Sequence, residues 1–317
     1  MLLPNSLETL TISNYVLTKY SLPSSLTSLT FTNGFNQPIT PGIFKEGLKT
    51  LNLGATFNSK IYPFSLPESL EELVFGEFFN QDIPEINVIP KNELVFGDLF
   101  NKTITRESLP SSLESLTFGK HYNKTIEKSS LETNTKLTHL TFGDKFNQPI
   151  IPNSLPSSIV NLKFGKKFNQ HLPHGALPPK IKRLKFGKYF NQPISNLPAI
   201  TNCQSLLCIK FGANYNESIA EFIKALSNCK KLYKLCFQNL SEPLNIFSNF
   251  KDLLQSNITV IKISEGNLGD ISNLPYSIQE LIIPENYNLT TLNKSIISTI
   301  YLKWNVSLLN YFKYLKK

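Results

Sequence analysis

A bulky apolar residue, usually Phe followed by Gly, recurs along this 317-residue chain about every 22 positions. A fixed period of this length is typical of a solenoid, because each repeat forms one structural turn that buries its apolar side against the neighbouring turns. A single turn has too few apolar side chains to fold alone, so the repeats must stack. The anchor residues are Phe31, Leu53, Phe75, Phe96, Phe118, Phe142, Phe164, Phe186 and Phe211.

Each anchor is followed four positions later by Phe or Tyr, and that ring is followed at once by Asn. We predict that the rings and the asparagine side chains are both buried, and that the asparagines form a ladder whose side chains satisfy backbone donors and acceptors from one turn to the next. Ligand binding is the alternative use of such a column. The asparagines of the ladder are Asn36, Asn58, Asn80, Asn101, Asn123, Asn147, Asn169, Asn191 and Asn216.

The residues just before each anchor predict a short β-strand. A Leu or Ile lies two positions before every anchor, so the triplet alternates between core and solvent as a strand does. Stacked repeats then form a parallel β-sheet, which we place on the concave face of a leucine-rich-repeat-like solenoid. The Gly after most anchors suits either a turn with positive φ or a close approach of two backbones.

The segments between strands carry Pro in phrases such as "LPSSL", residues 109–113. Because Pro disfavours regular helix, we predict turns, short extended segments and only a few helices on the convex face. One helix is predicted from the spacing of Ile219, Phe222 and Leu226. Cys203 and Cys229 hold matching places before two strands, so we interpret them as buried structural residues.

The phrase "FNQPI" at residues 35–39, 146–150 and 190–194, with "LPSSLESLTFG" at 109–119, resembles the FNIP repeat. This repeat is a relative of the leucine-rich repeat found in amoebae and in the large DNA viruses that infect them. The resemblance extends over about residues 22–220. It implies a leucine-rich-repeat-like solenoid used in protein interaction, with no catalytic residues. Some members carry an amino-terminal F-box that recruits a ubiquitin ligase, but here the first repeat begins too early to leave room for one.

The ends of the array predict a single solenoid domain. The first segment has the apolar spacing of a repeat without the aromatic–Asn pair, as a capping unit should. Downstream the phrase decays while the period persists. The predicted segments of the domain 1–317 are an N-terminal capping unit at 1–21, FNIP-type repeats at 22–220, degenerate leucine-rich-type repeats at 221–306 and a C-terminal helical cap at 307–317.

Residue types that carry out catalysis are present but no motif gathers them. The sequence has no nucleophile-elbow, zinc-peptidase, phosphate-binding or dinucleotide-binding motif. His171 and His174 lie close together in a loop without a Cys or acidic residue at ligand spacing, so we interpret them as solvated. We predict that the chain is not an enzyme and uses no cofactor and no metal.

Charged residues vary at the strand positions that face solvent. Strands about 4.8 Å apart would group cations of the later repeats into one basic patch beyond an acidic one. The chain has 32 Lys and Arg against 23 Asp and Glu, so a face that only keeps the solenoid in solution is the simpler interpretation. A partner-binding patch is the functional one. The residues concerned are Lys163, Arg183, Lys185 and Lys210, with Glu72 and Glu93 in the acidic patch.

These features predict a non-catalytic protein–protein interaction scaffold whose concave sheet binds an unidentified protein. Two alternatives stay open, which are binding of nucleic acid or another polyanion, and substrate recognition in a ubiquitin ligase by a chain without its own F-box. Nucleic acid is not favoured, because the repeated rings are needed in the core and exposed aromatics that would stack on bases are not evident.

Sequence signals of membranes and secretion are not evident. No apolar run approaches the ~18 residues of a membrane span, and the amino terminus lacks a secretory pattern. The four cysteines have no CxxC spacing and are too few for a disulfide framework, which indicates a reducing environment. We predict an intracellular, cytoplasmic monomer that does not bind membranes.

Overall fold

The computed structural model describes residues 3–13, 15–83, 92–106, 108–193, 197–201, 203–217, 226, 229–240, 257–266, 278–282 and 301–302. The chain divides into two compact units. The first is Met1–Gln170 with Gly175–Pro178, and the second is His171–His174 with Pro179–Lys317. A single domain over residues 1–317 stays a prediction.

Parallel strands form the spine of the first unit. Each strand pairs with the one before it, and the register aligns the leucine of every repeat, so that Leu29 lies beside Leu51 and Leu51 beside Leu73. The aligned leucines are buried, which makes the sheet one wall of the core. The strands are β1 (Thr9–Ile12), β2 (Ser28–Phe31), β3 (Thr50–Asn52), β4 (Glu72–Val74), β5 (Glu93–Val95), β6 (Ser115–Thr117), β7 (His139–Thr141) and β8 (Asn161–Lys163).

The second unit continues the same pattern with a longer pair of strands. Its parallel register places Leu184 beside Ile209 and Ile209 beside Leu235, again in the core. A four-residue helix, α1 (Pro198–Thr201), precedes the second of its strands. The strands are β9 (Arg183–Lys185), β10 (Cys208–Phe211), β11 (Lys234–Leu240), β12 (Val260–Gly266), β13 (Glu280–Ile282) and β14 (Tyr301–Leu302).

Two columns of aromatic rings fill the space behind the strands. Within a repeat the anchor ring stacks on the ring four residues later, as Phe118 does on Tyr122 with centroids 3.8 Å apart. Between repeats each ring stacks on its counterpart, as Phe118 does on Phe142 at 5.8 Å. The second unit has the same arrangement, with Phe186 and Phe190 3.7 Å apart. The aromatic positions recur because each buries a large apolar area against its neighbours.

The glycine after an anchor allows two backbones to approach closely. A Cβ on Gly119 would lie 1.8 Å from the carbonyl oxygen of Gly97, and one on Gly76 would lie 1.6 Å from that of Gly54. No methyl group fits in that space. Close approach is therefore the reason for these glycines, although Gly54 also has a positive φ of 73°.

Turns connect the strands of the first unit. The backbone N–H of Leu113 donates to the carbonyl of Pro110 at 3.2 Å, and Ile159 donates likewise to Pro156. Each of these hydrogen bonds closes a β-turn whose first residue is Pro. The predicted leucine-rich-repeat-like solenoid with parallel strands and few helices is confirmed. The helices predicted from Ile219 and Phe222 and at 307–317 lie outside the described residues.

Candidate functional site

Side chains that alternate with the buried leucines define an outward strand face in each unit. In β9, Leu184 is buried whereas Arg183 is exposed and Lys185 is half-buried. In β5, Leu94 is buried whereas Glu93 is exposed. The core columns keep the same residue types from repeat to repeat while the strand face varies. The outward residues of the strands are therefore candidates for contacts that differ from repeat to repeat.

The strand face of the first unit carries an acidic pair. Glu72 of β4 lies directly beside Glu93 of β5 in the parallel register, and both side chains are exposed. Adjacent strands are about 4.8 Å apart, so the two like charges repel at short range. The structure thus brings together the two acidic residues predicted from the sequence.

Lys163, a predicted member of the basic patch, belongs to the first unit. It is exposed at the end of β8, beside Thr141 of β7. Two residues earlier on the same strand, Asn161 approaches the Nε2 of His139 at 2.8 Å. These strand neighbours are polar and none is Lys or Arg.

The strand face of the second unit carries three of the four predicted cations together. Lys185 of β9 lies beside Lys210 of β10, and Arg183 lies beside Cys208. Like charges on adjacent strands repel each other, so this grouping costs stability. A cost of this kind is typical of a surface that binds an opposite charge.

Two further lysines, which were not predicted from the sequence, extend this group. Lys234 of β11 lies beside Cys208, and Lys262 of β12 lies beside Cys236. Lys234 lies three residues before its anchor, as Arg183 does, and Lys262 lies one residue before its anchor, as Lys185 does. Extending the repeat register to the later, degenerate anchors would therefore have predicted both lysines. The basic face of the second unit consists of Arg183, Lys185, Lys210, Lys234 and Lys262.

Two thiols lie within the basic face. Cys208 and Cys236 are diagonal neighbours on β10 and β11, on the same face of the two strands. Hydrogen bonding with the Cys208 thiol lowers the pKa of Cys236, with a further lowering by Lys234, Lys210 and Lys262 that acts against the effect of burial. The same hydrogen bond and burial raise the pKa of Cys208.

The other two thiols lie in the core, where the sequence analysis placed them. The Sγ of Cys203 donates to the carbonyl oxygen of Ala199 at 3.2 Å, and the Sγ of Cys229 donates to that of Ile200 at 3.2 Å. Burial raises the pKa of Cys203 to about 12 and that of Cys229 to about 11. These thiols are therefore held in the protonated form.

The asparagines of the ladder bond to one another. Within each unit, the backbone N–H of a ladder residue donates to the side-chain Oδ1 of the ladder residue one repeat earlier in that unit. In the first unit the N···O distances lie between 2.7 and 3.0 Å, from the step Asn36–Asn58 to the step Asn147–Asn169. In the second unit Asn216 donates to Asn191 at 2.9 Å. These carboxamide oxygens are occupied within the fold, which favours the structural interpretation over ligand binding.

The ladder is less buried than the sequence analysis expected. Asn36, Asn58 and Asn216 are exposed, and the other ladder residues are half-buried. The expectation was wrong because the ring before each Asn takes the inward position, as the fully buried Phe57 does. The carboxamide is left at the rim of the turn, where it still reaches the backbone of the next repeat.

Exposed aromatic rings occur, contrary to the expectation from the sequence. Tyr20 is 75% exposed and Phe64 is 67% exposed, and Tyr189 and Tyr233 are also exposed in the second unit. The expectation considered only the repeated rings, whereas these four lie in the segments between strands. No aromatic side chain lies on the strand face of β9 to β12, whose residues the structure describes.

Other kinds of site have no support in the described ranges. His171 and His174 are both exposed. Within those ranges, no three His, Cys, Asp or Glu side chains come close enough to hold a metal ion. None of the helices that the structure describes has the length and apolar character needed to cross a bilayer.

Comparison with known proteins agrees with this geometry. A family model described as FNIP Repeat matches residues 35–78, 79–121, 100–131, 122–167 and 168–201. Among solved structures, the chain is similar to CroV588, described as a novel circular LRR protein structure, with 34% identity and a TM-score of 0.66. That match covers 90% of this chain and 48% of the other, so this chain spans about half the length of CroV588.

A second similar structure is an internalin from Listeria monocytogenes, with 16% identity and a TM-score of 0.49 over 96% of this chain and 88% of that one. Likeness at this level carries no argument about function. No curated protein sequence matches the chain.

Proposed function

Because this chain belongs to the FNIP repeat family, we propose that it is a non-catalytic scaffold that binds an acidic segment of another protein through the basic face. The observation that carries the proposal is the placement of five cations on four successive strands, β9 to β12. The core leucines, the aromatic columns and the Asn ladder keep the same residue types from repeat to repeat, whereas the strand face differs.

The size of the basic face favours a short segment over a whole domain. Three strand spacings of about 4.8 Å and two residues of about 3.3 Å along a strand give a patch of roughly 14 by 7 Å. A standard protein interface buries about 800 Å² on each partner, several times this area. The basic face is thus the size of an extended peptide of a few residues, and a larger partner would need further contacts.

The charge distribution favours an acidic partner. Lys185 lies beside Lys210. Lys262 lies beside Cys236 of β11, the strand that also holds Lys234. An acidic segment would relieve the repulsion among these cations and be steered to them from solution. The half-buried Lys185, Lys210, Lys234 and Lys262 are also less screened by salt than fully exposed lysines.

Fluorescence anisotropy with a labelled Glu-rich peptide tests the proposal. The triple variant Arg183→Glu, Lys185→Glu, Lys210→Glu should weaken binding at least about tenfold while its melting temperature stays near that of the wild type. The matched control reverses three exposed lysines of the first unit, Lys124, Lys128 and Lys136, which gives the same change in net charge.

Equal losses in the two triple variants would mean that net charge alone attracts the peptide, and the basic face would then have no special role. A Gln-rich peptide of the same length should not bind. The single variant Lys163→Glu tests whether Lys163 of the first unit contributes, as the sequence predicts. Capture from host-cell extract with the wild type and both triple variants would then identify the partner, including a ubiquitin-ligase subunit if the chain acts as a substrate receptor.

Nucleic acid is the second candidate, because the same five cations could neutralise phosphates. A single strand that contacts all five would give a slope of about −3.5 for log K against log salt. The strand face of β9 to β12 has no ring on which bases could stack, which lowers the affinity expected for this class. Filter binding at two salt concentrations separates the candidates, since no retention at low salt excludes nucleic acid.

A further inference from the structure

The pairing of β10 with β11 brings two cysteines together that are far apart in the sequence. Cys208 lies beside Lys234, and Cys236 follows two residues later on the same side of β11. The register therefore places the two thiols as diagonal neighbours on one face of adjacent strands. Cys208 is half-buried, whereas Cys236 is only 7% exposed, so small reagents reach the pair more readily than large ones.

Cations surround this thiol pair on every adjacent strand. Lys210 of β10 and Lys262 of β12 lie on either side of Cys236, and Lys234 lies two residues before it. Arg183 of β9 lies beside Cys208. Positive charge near a thiol favours the thiolate, which is the nucleophilic form. Hydrogen bonding with the Cys208 thiol stabilises the Cys236 thiolate further and is the largest cause of the lowered pKa of Cys236.

The core pair Cys203 and Cys229 shows how the pKa of a buried thiol of this protein changes when no cations surround it. Both are buried, both donate to backbone carbonyls, and burial raises both pKa values. The two pairs belong to the same unit and differ mainly in their surroundings. The core pair is therefore an internal control, against which the reactivity of Cys208 and Cys236 can be compared.

We propose that Cys208 and Cys236 are a redox-sensitive thiol pair, at which a hydroperoxide oxidises Cys236 and Cys208 then closes a disulfide between β10 and β11. The site is a modification site on the basic face, and its chemistry does not depend on the scaffold function. The oxidant is a small hydroperoxide such as hydrogen peroxide.

The reaction has two balanced steps. The Cys236 thiolate attacks one peroxide oxygen, the O–O bond breaks, and the departing hydroxide takes a proton to become water, leaving Cys236 as a sulfenic acid. The Cys208 sulfur then attacks the Cys236 sulfur, the S–O bond breaks, and the departing hydroxide takes the proton of the Cys208 thiol. Two thiols and one hydrogen peroxide thus become one disulfide and two waters, with the peroxide reduced and the sulfurs oxidised.

Strand geometry indicates that this disulfide is easily reduced. Diagonal neighbours on adjacent strands have Cα atoms about 7–8 Å apart. Disulfides prefer a Cα separation of about 4.4–6.8 Å, so closing the bond requires the backbones of β10 and β11 to move closer together. A strained disulfide of this kind is reversible and suits regulation better than permanent stabilisation.

The test treats the full chain with hydrogen peroxide, alkylates the remaining thiols with iodoacetamide, and locates the modifications by mass spectrometry. The variant Cys203→Ser, Cys229→Ser should form an intramolecular disulfide, with the loss of two hydrogens, and dithiothreitol should reverse it. The variant Cys208→Ser, Cys236→Ser should form none. The variant Cys208→Ser alone should trap Cys236 as a sulfenic acid, which dimedone labels, while Cys236→Ser should leave Cys208 reduced.

Three results would overturn the proposal. The first is oxidation of Cys236 no faster than that of the core pair in the wild type. The second is a sulfenic acid at Cys236 that persists although Cys208 is present, because Cys208 would then not act as its partner. The third is a disulfide that appears only between molecules, which gel electrophoresis without reductant would reveal. Circular dichroism of each variant checks that the solenoid is folded.

Discussion

The backbone N–H of Asn123 donates a hydrogen bond to the side-chain Oδ1 of Asn101, 2.9 Å away and one repeat earlier. Both residues are half-buried, so water cannot fully replace the bond. The variant Asn101→Ala should therefore lower the free energy of unfolding by about 1–2 kcal/mol, measured by urea denaturation.

Two controls separate the ladder from a general effect of losing an asparagine. Asn101→Asp keeps an acceptor oxygen at the same place and should lose less stability. Asn92→Ala removes an exposed side chain outside the ladder and should change stability little. If Asn92→Ala is as destabilising as Asn101→Ala, the ladder bond has no special importance.

The contact between Gly119 and Gly97 predicts a larger effect. A methyl group on Gly119 would lie 1.8 Å from the carbonyl oxygen of Gly97, so Gly119→Ala must push two repeats apart. We expect a loss of more than about 3 kcal/mol, or failure to fold, in a thermal melt.

Gly42 supplies the comparison for that variant. Its nearest neighbouring atom would be 4.0 Å from an added Cβ, but its φ is 86°. Gly42→Ala should therefore cost only the strain of a left-handed backbone, about 1–2 kcal/mol. A loss for Gly42→Ala as large as that for Gly119→Ala would mean that backbone conformation, and not close approach, decides the effect.

The fold could be predicted because the repeat itself sets the register. Leucines two positions before the anchors align Leu29 with Leu51 and so on through the first unit, as the period requires. For the glycines the sequence left two reasons open, a turn with positive φ and a close approach of two backbones. Close approach at Gly119 depends on where the carbonyl of Gly97 lies, which the sequence does not state.

The candidate site could be predicted only in part, because it depends on residues from degenerate repeats. Arg183, Lys185 and Lys210 stand before recognisable anchors, whereas Lys262 stands before Ile263, where the aromatic signal is lost. Cys208 and Cys236 are separated by a whole repeat and match no cysteine motif. Only the pairing of β10 with β11 makes them neighbours.

The hydroxyl of Tyr122 is buried with no hydrogen-bond partner in the described part of the chain. The ring stacks between Phe100 and Phe146, where phenylalanine would fit equally well. Tyr122→Phe should therefore raise the free energy of unfolding by about 1–2 kcal/mol, whereas the exposed Tyr15→Phe should not change it. A loss of stability in Tyr122→Phe would show that the hydroxyl makes a favourable contact.

The same tyrosine predicts a dependence on alkaline pH. Burial raises the pKa of Tyr122 above its ordinary value of about 10. The folded state favours the neutral form of Tyr122. The contribution of Tyr122 to the free energy of unfolding is therefore complete below pH ~10, and it is lost as the pH rises further and the tyrosine ionises in the unfolded chain. The free energy of unfolding, measured by urea denaturation, should fall less between pH 9 and about pH 11 in Tyr122→Phe than in the wild type. Equal losses would contradict the prediction.

Repulsion between Glu72 and Glu93 predicts that each single charge reversal stabilises the fold, whereas the double reversal does not. Each single variant, Glu72→Lys or Glu93→Lys, replaces repulsion by attraction and should stabilise the fold by about 0.3–1 kcal/mol at low salt. The double variant restores like charges and should return to the wild-type value. The gains should shrink in high salt, which screens exposed charges. Additive gains in the double variant would show that the two side chains do not interact.

The cations around Cys236 predict how its reactivity depends on pH. In the Cys203→Ser, Cys229→Ser background, the rate of alkylation of Cys236 by iodoacetamide should rise with the thiolate fraction and level off below the pH of an ordinary thiol, since the pKa of Cys236 is lowered. The double variant Lys210→Gln, Lys262→Gln removes two positive charges that favour the thiolate. The profile should then shift upward by about half a pH unit to one.

Lys230 and Lys231 provide the matched control, because both are exposed lysines of the same unit that lie outside the basic face. Replacing both by glutamine makes the same change in net charge and should leave the profile within about 0.2 pH units of its position, because exposed charges at longer range are screened by salt. An equal shift in both double variants would mean that the overall charge of the protein governs Cys236. Because the hydrogen bond from Cys208 is intact in both variants, a shift confined to Lys210→Gln, Lys262→Gln measures the effect of the neighbouring cations alone.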